Sequence, residues 1–323
     1  MSEEYVGVDV GGTKIAVARL RDGELSGHGI EPTDSETAEA MVDEICAAVE
    51  GVSGAETVAV GVGVPSVIEF ETGRARSSVN VPLRDVPLRD VLGERLGLPV
   101  FVDNDATLAA LAEAHDGDEL VVDDLVMFTI GTGVGGGLVL GGRPYRGATG
   151  AAGELGHMLV AVNLEGGAPE PGDFPQEGSL ESLAAGRALD RLATAAVAEH
   201  PDCYLGRRHA GGDAEITGVD VVTGAKQGDE VAIELLRVIG ERLGIGIANA
   251  INAFDPEVVA IGGGVSSAGE LLLEPAREAA LRYVLPGVGE RTEIRLSNHG
   301  PGAGVLGAAL LARQEFKRGE AGG

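Results

Sequence analysis

The chain has 323 residues, 44% of them hydrophobic, and a formal net charge of −27. That length suits roughly two domains of ordinary size, and the charge excludes a general nucleic-acid binder, which needs basic patches to neutralise phosphates. Trp is absent and aromatics reach only 3%, so the cores must be built from Val, Leu, Ile and Ala.

Lys14, Lys226 and Lys317 are the only lysines. Acid-rich and lysine-poor, the composition suits a halophilic protein working in concentrated salt, where charge repulsion is screened over about 3 Å. An ordinary acidic cytoplasmic protein is the other reading. Cys46 and Cys203 are too few for a disulfide framework or a four-cysteine metal site, which favours a reducing compartment. The start, MSEEYVGVDV, shows no signal peptide, and residues 125–142 are too glycine-riddled for a membrane span. A soluble, cytoplasmic protein is expected.

Residues 5–10, YVGVDV, read as a strand, followed by Gly11-Gly12-Thr13-Lys14 and a second strand, IAVARL. A helix pattern covers 35–50, a strand 58–66, a polar segment 77–83 and a helix 87–97. The stretch VFVDNDATLAALAEA, residues 100–114, changes from a strand to a helix at Asp103-Asn104-Asp105. Open α/β folds place their chemistry at such a junction. Asp and Asn are equally the preferred N-cap residues, so two readings of Asp105, cap and catalyst, stand side by side.

Residues 125–140 repeat the opening design: LVMFTI, then Gly131-Thr132-Gly133, then a strand. Shifted by 120 positions, Asp9 falls on Thr129 and Gly11 on Gly131, so two related halves facing each other across a cleft are expected. GTGVGG matches G-x-G-x-x-G, but a strand follows where a dinucleotide site needs a helix. Residues 143–160 are loop-rich before an expected strand HMLVAV, and 163–179 form a surface excursion. Helices are expected at 179–199, 217–226 and 229–253. A strand from Glu257 then runs into Gly262-Gly263-Gly264, followed by a helix at 270–283, the strand EIRLS and a final helix GVLGAALLARQEF. The alternation is α/β.

Three glycine turns after strands exceed what hairpins need. Backbone amides let so acidic a chain hold a polyphosphate without basic side chains, and magnesium, held near Asp9 or Asp105 through water, would neutralise the remainder. ATP with Mg2+ is therefore the expected ligand pair. Phosphoryl transfer to a hydroxyl needs a carboxylate to accept the proton, and Asp105 stands where one is wanted. Glu154, His157 and Glu181 could hydrogen-bond a polyol. Each also has a plain structural reading, a packed histidine and solvated carboxylates.

Taken together, GVDVGGTKIAVARL, GVGVPSVIE, VDNDATLAALAE, TIGTGVGGGLVLGG, GAAGELGHMLV, GSLESLAAG and VVAIGGGVS resemble, in order and nearly end to end, the ROK family of sugar kinases and sugar-responsive repressors. That resemblance implies a two-domain actin-like ATPase (ribonuclease H-like) fold with a cleft between domains. It places a small domain at 1–118, completed by the C-terminal helix 301–318, and a large domain at 119–300. It also implies that Asp9, Gly11, Gly12, Thr13 and Lys14 form a first phosphate loop, with Asp9 near the magnesium, Gly131, Thr132 and Gly133 a second, and Gly262, Gly263 and Gly264 an adenosine loop. Asp105 resembles the catalytic base, while Asn80, Asn104, Asp105, Glu154, His157 and Glu181 match positions that contact the hexose. Asp103 is left as a structural residue. Ser66 stands where the family usually has glycine.

The repressors carry an N-terminal winged helix, and here a strand begins at Tyr5, so a kinase is the expected branch. The activity implied is an ATP-dependent hexose kinase, foremost a glucokinase acting on the 6-hydroxyl. Kinases for N-acetylmannosamine, fructose or allose, and a non-catalytic sugar sensor, are the alternatives. ADP or polyphosphate as donor is left open, and the family suggests a dimer or tetramer. Family members commonly hold a structural zinc with the histidine of ELGH and three cysteines. Residues 166–181, GGAPEPGDFPQEGSLE, contain no cysteine, with Ser179 at the last cysteine position, so no zinc site is expected.

Overall fold

The computed structural model describes residues 3–33, 36–78, 81–210 and 215–322. The chain divides into two compact units: Met1–Leu125, Gly137–Gly153 and Asn298–Gly323 form the first, and Val126–Gly136 with Glu154–Ser297 the second.

The first unit opens with β1 (Glu4–Val10), β2 (Lys14–Arg21) and β3 (Glu24–Pro32), then α1 (Ala38–Val52) and β4 (Thr57–Val64). A small ribbon of β5 (Ser66–Glu69) and β6 (Arg74–Ser78) precedes α2 (Leu88–Leu96), β7 (Val100–Asn104) and α3 (Asp105–Glu113), with β8 (His115–Asp116) and β9 (Glu119–Leu120) as a short hairpin. The main sheet has the order β3-β2-β1-β4-β7. Its β1–β2–β3 part is antiparallel, and β4 and β7 run parallel to β1. Central strands covered on both faces read as unbroken apolar runs, which is why YVGVDV and VAVGVGV carry valine so densely. One face packs Val6, Val60 and Val100 with Met41, Ile45, Leu88 and Leu92 in a single core. The edge strand β3, ELSGHGIEP, lies exposed along most of its length. Without a buried face it has no apolar period, so the sequence alone does not reveal it.

The second sheet has the order β12-β11-β10-β13-β14, with β10 (Leu125–Ile130), β11 (Val134–Leu140), β12 (Arg143–Pro144), β13 (Val258–Gly262) and β14 (Glu293–Leu296). Its order repeats that of the first sheet, a hairpin followed by two later strands. The helices of the second unit are α4 (Leu180–Ala184), α5 (Gly186–Glu199), α6 (Tyr204–Ala210), α7 (Gly218–Lys226), α8 (Glu230–Phe254) and α9 (Glu270–Tyr283). Two expectations change here. The single helix read over 179–199 breaks at Ala185, whose backbone is extended, into α4 and α5. The expected strand HMLVAV is instead a 3-10 turn at Leu155–His157 and one isolated bridge, Leu159 to Ser179.

The last helix, α10 (Ala303–Gly322), returns to the first unit. It lies against β1 and β4 at a distance only glycine permits. A Cβ on Gly61 would fall 1.8 Å from the Ala308 carbonyl oxygen, and one on Gly7 would fall 2.1 Å from that of Val305.

Candidate active site

The C-terminal ends of β1 and β7 in the first unit carry the carboxylates. Asp9 lies one residue before the end of β1, and the turn after it closes with the Gly11 N–H donating to the Lys14 carbonyl at 2.8 Å. Gly12, Thr13 and Lys14 are exposed there. Gly304 in the first turn of α10 gives the Asp9 side chain its room, because a Cβ at that position would sit 2.5 Å from the carboxyl. Burial, and then the charge of Asp105, push the Asp9 carboxyl up to about 6, against the lowering effect of Lys14.

At the β7–α3 junction the three polar residues divide the work. Asn104 is the N-cap: its Oδ1 accepts the Ala106 and Thr107 N–H groups at 3.0 and 3.1 Å. Its Nδ2 donates to the Ser66 carbonyl at 3.4 Å. Asp105 is the first helical residue, half-buried, with one oxygen accepting the Ala106 N–H at 2.9 Å. Desolvation raises its pKa, and that hydrogen bond opposes the rise. Asp103 is buried and paired with Arg146, Nε to Oδ2, at 2.6 Å. The cap reading thus belongs to Asn104, and the structural reading to Asp103. Ser66 is buried, and its hydroxyl donates to the Ser77 carbonyl at 2.7 Å.

The second unit supplies backbone instead. Gly131 closes its turn by donating to the Gly133 carbonyl at 2.9 Å, the counterpart of the Gly11 turn. A cavity of about 690 Å³ is lined by Gly131, Thr132, the first residues of α5 and α7, Gly264 and Lys226. A Cβ on Gly131 or on Gly264 would meet no other atom within 4 Å, so both present bare backbone to open space. Gly262 is different: it is the buried last residue of β13 and does not line the cavity. Gly263 makes the turn at φ 87°, its Cα against Ile130, where a Cβ would sit 2.5 Å from the carbonyl oxygen. No sequence signal marked α7 or Lys226 as cavity walls, since they join the glycine turns only through the tertiary fold.

Of the residues matched to hexose contacts, Glu154, His157 and Glu181 lie in the second unit. Glu154 and His157 are exposed, with Oε2 and Nε2 3.8 Å apart, too long for a hydrogen bond. Glu181 Oε2 accepts the Val134 N–H at 2.8 Å, directly after the second glycine turn. A Cβ on Gly133 would collide with that carboxylate at 2.4 Å, a reason for glycine there. Asn80 lies outside the described residues.

The segment 166–181 does not fit zinc. Tetrahedral sites need thiolates or imidazoles, and this stretch supplies neither. Ser179 is fully buried as the N-cap of α4, accepting the Ser182 N–H. Backbone bonds hold the segment: Val160 N–H to the Gly178 carbonyl at 2.8 Å and Leu180 N–H to that of Met158 at 2.9 Å. Phe174 meets the His157 ring edge-on at 5.4 Å.

Comparison with known proteins agrees with this architecture. The model of the ROK family matches residues 5–315, and the chain belongs to that family. It is 39% identical over 319 residues to a glucokinase of Halalkalibacterium halodurans, covering 96% of this chain and 95% of that protein. Among solved structures it is similar to a ROK family glucokinase from Streptomyces griseus in complex with glucose and AMPPNP, at 37% identity and a TM-score of 0.78 over 96% of this chain and 99% of the other. A ROK hexokinase from Thermus thermophilus gives 37% identity and a TM-score of 0.75 over 98% and 99%. The fold is accordingly the two-sheet α/β, actin-like ATPase architecture of those kinases.

Proposed function

We infer that the chain is an ATP-dependent hexose kinase, a glucokinase that transfers the γ-phosphoryl group of ATP to the 6-hydroxyl of glucose. Full-length similarity to glucokinases, including one solved with glucose and an ATP analogue, carries the substrate. The observation that carries the chemistry is Asp105: a half-buried carboxylate with raised pKa at the head of α3, where Asn104 is the N-cap and Asp105 commits one oxygen to the Ala106 N–H.

In this reading Asp105 accepts the hydroxyl proton as the oxygen attacks, and its desolvation makes it a stronger base than a solvated carboxylate. With the Gly11 and Gly131 N–H groups closing their own turns, Gly12, Thr13, Thr132 and Gly133 offer backbone N–H groups to the phosphates, Lys14 lies beside them, Gly263 and Gly264 bound the nucleotide, and the 690 Å³ cavity receives its nucleoside end. Asn104, Glu154, His157 and Glu181, with Asn80, hold the sugar hydroxyls. Asp9, whose ionisation the charge of Asp105 opposes, suits with it a divalent cation. Magnesium bound there would neutralise charge on the phosphates. A cytoplasmic enzyme, a homo-oligomer and tolerance of concentrated salt belong to the same proposal, the last supported by the net charge of −27.

A coupled assay of ADP release across glucose, mannose, fructose, allose, N-acetylglucosamine and N-acetylmannosamine tests it. Glucose is expected to give the highest kcat/KM, and release without sugar should be negligible. Equal release without sugar would make the protein an ATPase, and no release with any sugar would make it a sensor.

A further inference from the structure

We propose that Arg146 is a positioning residue for the reaction: through buried Asp103 it fixes the strand end from which Asn104 and Asp105 project. The proposal rests on the reading of Asp105 as the base, but its evidence is a separate set of contacts, all within the first unit.

Asp103 is only 2% exposed, and both of its oxygens are engaged. Oδ2 receives the Arg146 Nε–H at 2.6 Å, and Oδ1 receives the Asn104 backbone N–H at 2.9 Å. The next link is the Asn104 side chain, which caps α3 on one side and donates to the Ser66 carbonyl of β5 on the other. Arg146 is itself held. Its guanidinium carbon lies 3.6 Å from the centre of the Phe70 ring, and Phe70 directly follows β5. Four residues on, Gly150 presses so closely on β5 that a Cβ would sit 1.8 Å from the Ile68 carbonyl oxygen. The contacts therefore close a ring: β5 through Ser66 to Asn104, to Asp103, to Arg146, to Phe70 and back to β5. Asp105 is the residue next to the tied one.

A buried ion pair is a costly way to gain stability, since apolar residues of similar volume often do as well. Its directional hydrogen bonds are what an apolar pair cannot supply. Phosphoryl transfer needs the accepting carboxylate within hydrogen-bond reach of the hydroxyl whose oxygen attacks, and a displacement of about 1 Å can cost on the order of 100-fold in rate. Arg146 also neutralises Asp103, so that a third bare carboxylate does not join Asp9 and Asp105.

The test compares Arg146→Leu, Arg146→Lys and Asp103→Asn with Asp105→Ala, by thermal melting and by KM and kcat for both substrates. Arg146→Leu and Asp103→Asn are expected to lower kcat on the order of 10- to 100-fold, to leave the KM for ATP unchanged, and to remain folded at assay temperature. Arg146→Lys, which keeps the charge, should recover part of the loss. Wild-type kcat in folded Arg146→Leu overturns the proposal, as does a loss that merely follows the unfolded fraction in all three variants. Should Arg146→Leu not fold, Asp103→Asn and Arg146→Lys decide by the same criteria. If Asp105→Ala keeps its turnover, the base assignment fails and this proposal with it. An inactive Asp105→Ala beside unaffected Arg146 and Asp103 variants sinks this proposal alone.

Discussion

The two sheets share a strand order, a hairpin followed by two later strands, yet they end in different chemistry. The first carries Asp9 at β1 and the Asp103-Asn104-Asp105 junction at β7. In the second, the turn after β10 at Gly131, the counterpart of the one after β1, and the turn after β13 at Gly264, the counterpart of the end of β4, present bare backbone to a 690 Å³ cavity. One topology thus serves two needs. Where a proton is to be moved, a titratable side chain is required. In the proposed function a chain of net charge −27 holds its polyphosphate with neutral N–H groups, which bring no negative charge to repel it. The difference between the halves is a difference in which atoms are left facing open space.

That division can be broken most severely at Asp105. Asp105→Ala is expected to lower kcat by about 10²- to 10⁴-fold while AMPPNP affinity, measured calorimetrically, stays near wild type. Loss of nucleotide binding in that variant would blur the distinction between the halves.

Asp9 gives the next largest effect, with opposite signs for activity and stability. Its folded pKa of about 6 lies above the ordinary 3.8. Between those values the folded state holds a proton the unfolded state has lost, so this group favours folding most at low pH and its contribution falls as pH rises through about 6. Asp9→Asn should therefore raise the melting temperature at pH 7, with the gain gone below pH about 4, and should abolish most activity. In the wild type, kcat/KM for ATP should fall as pH drops through about 6. A flat profile from pH 5 to 8 would remove Asp9 from the site.

Smaller effects separate open glycine from crowded glycine. Gly264→Val points into open space, so it should raise the KM for ATP by about tenfold, or about 1.4 kcal/mol, with melting unchanged. Gly263→Ala meets Ile130 at positive φ and should cost about 1–3 kcal/mol of stability in urea titrations. The smallest expected effect is general: a melting temperature that rises from dilute to molar KCl as surface repulsion is screened. No rise would leave the acidic surface without that explanation.

How much of this could be read in the sequence follows from what each residue touches. The hairpins, β4, β7 and the long helices showed themselves through apolar periods, because each has a buried face. The edge strand β3 and the short α6 did not, having too few buried positions to form a pattern. The strand-to-helix junction was legible, and the family resemblance already set Asp103 apart as structural, but no local pattern names its partner: Arg146, forty-three positions on, reaches its carboxylate only in the fold. Lys226 and Gly218 beside the glycine turns, and Glu181 against Val134, are likewise products of tertiary folding. Local spacing carries no trace of such contacts.

The most direct measurement of the central claim is the product itself. Phosphorus NMR without proton decoupling, on glucose and ATP incubated with the protein and magnesium, reads which carbon bears the new ester. Glucokinase activity predicts a phosphomonoester signal split into a triplet by the two protons at C6, growing in step with ADP. A doublet would place the phosphate on a ring carbon, and inorganic phosphate alone would mean that water, not sugar, accepts it; either result contradicts the account.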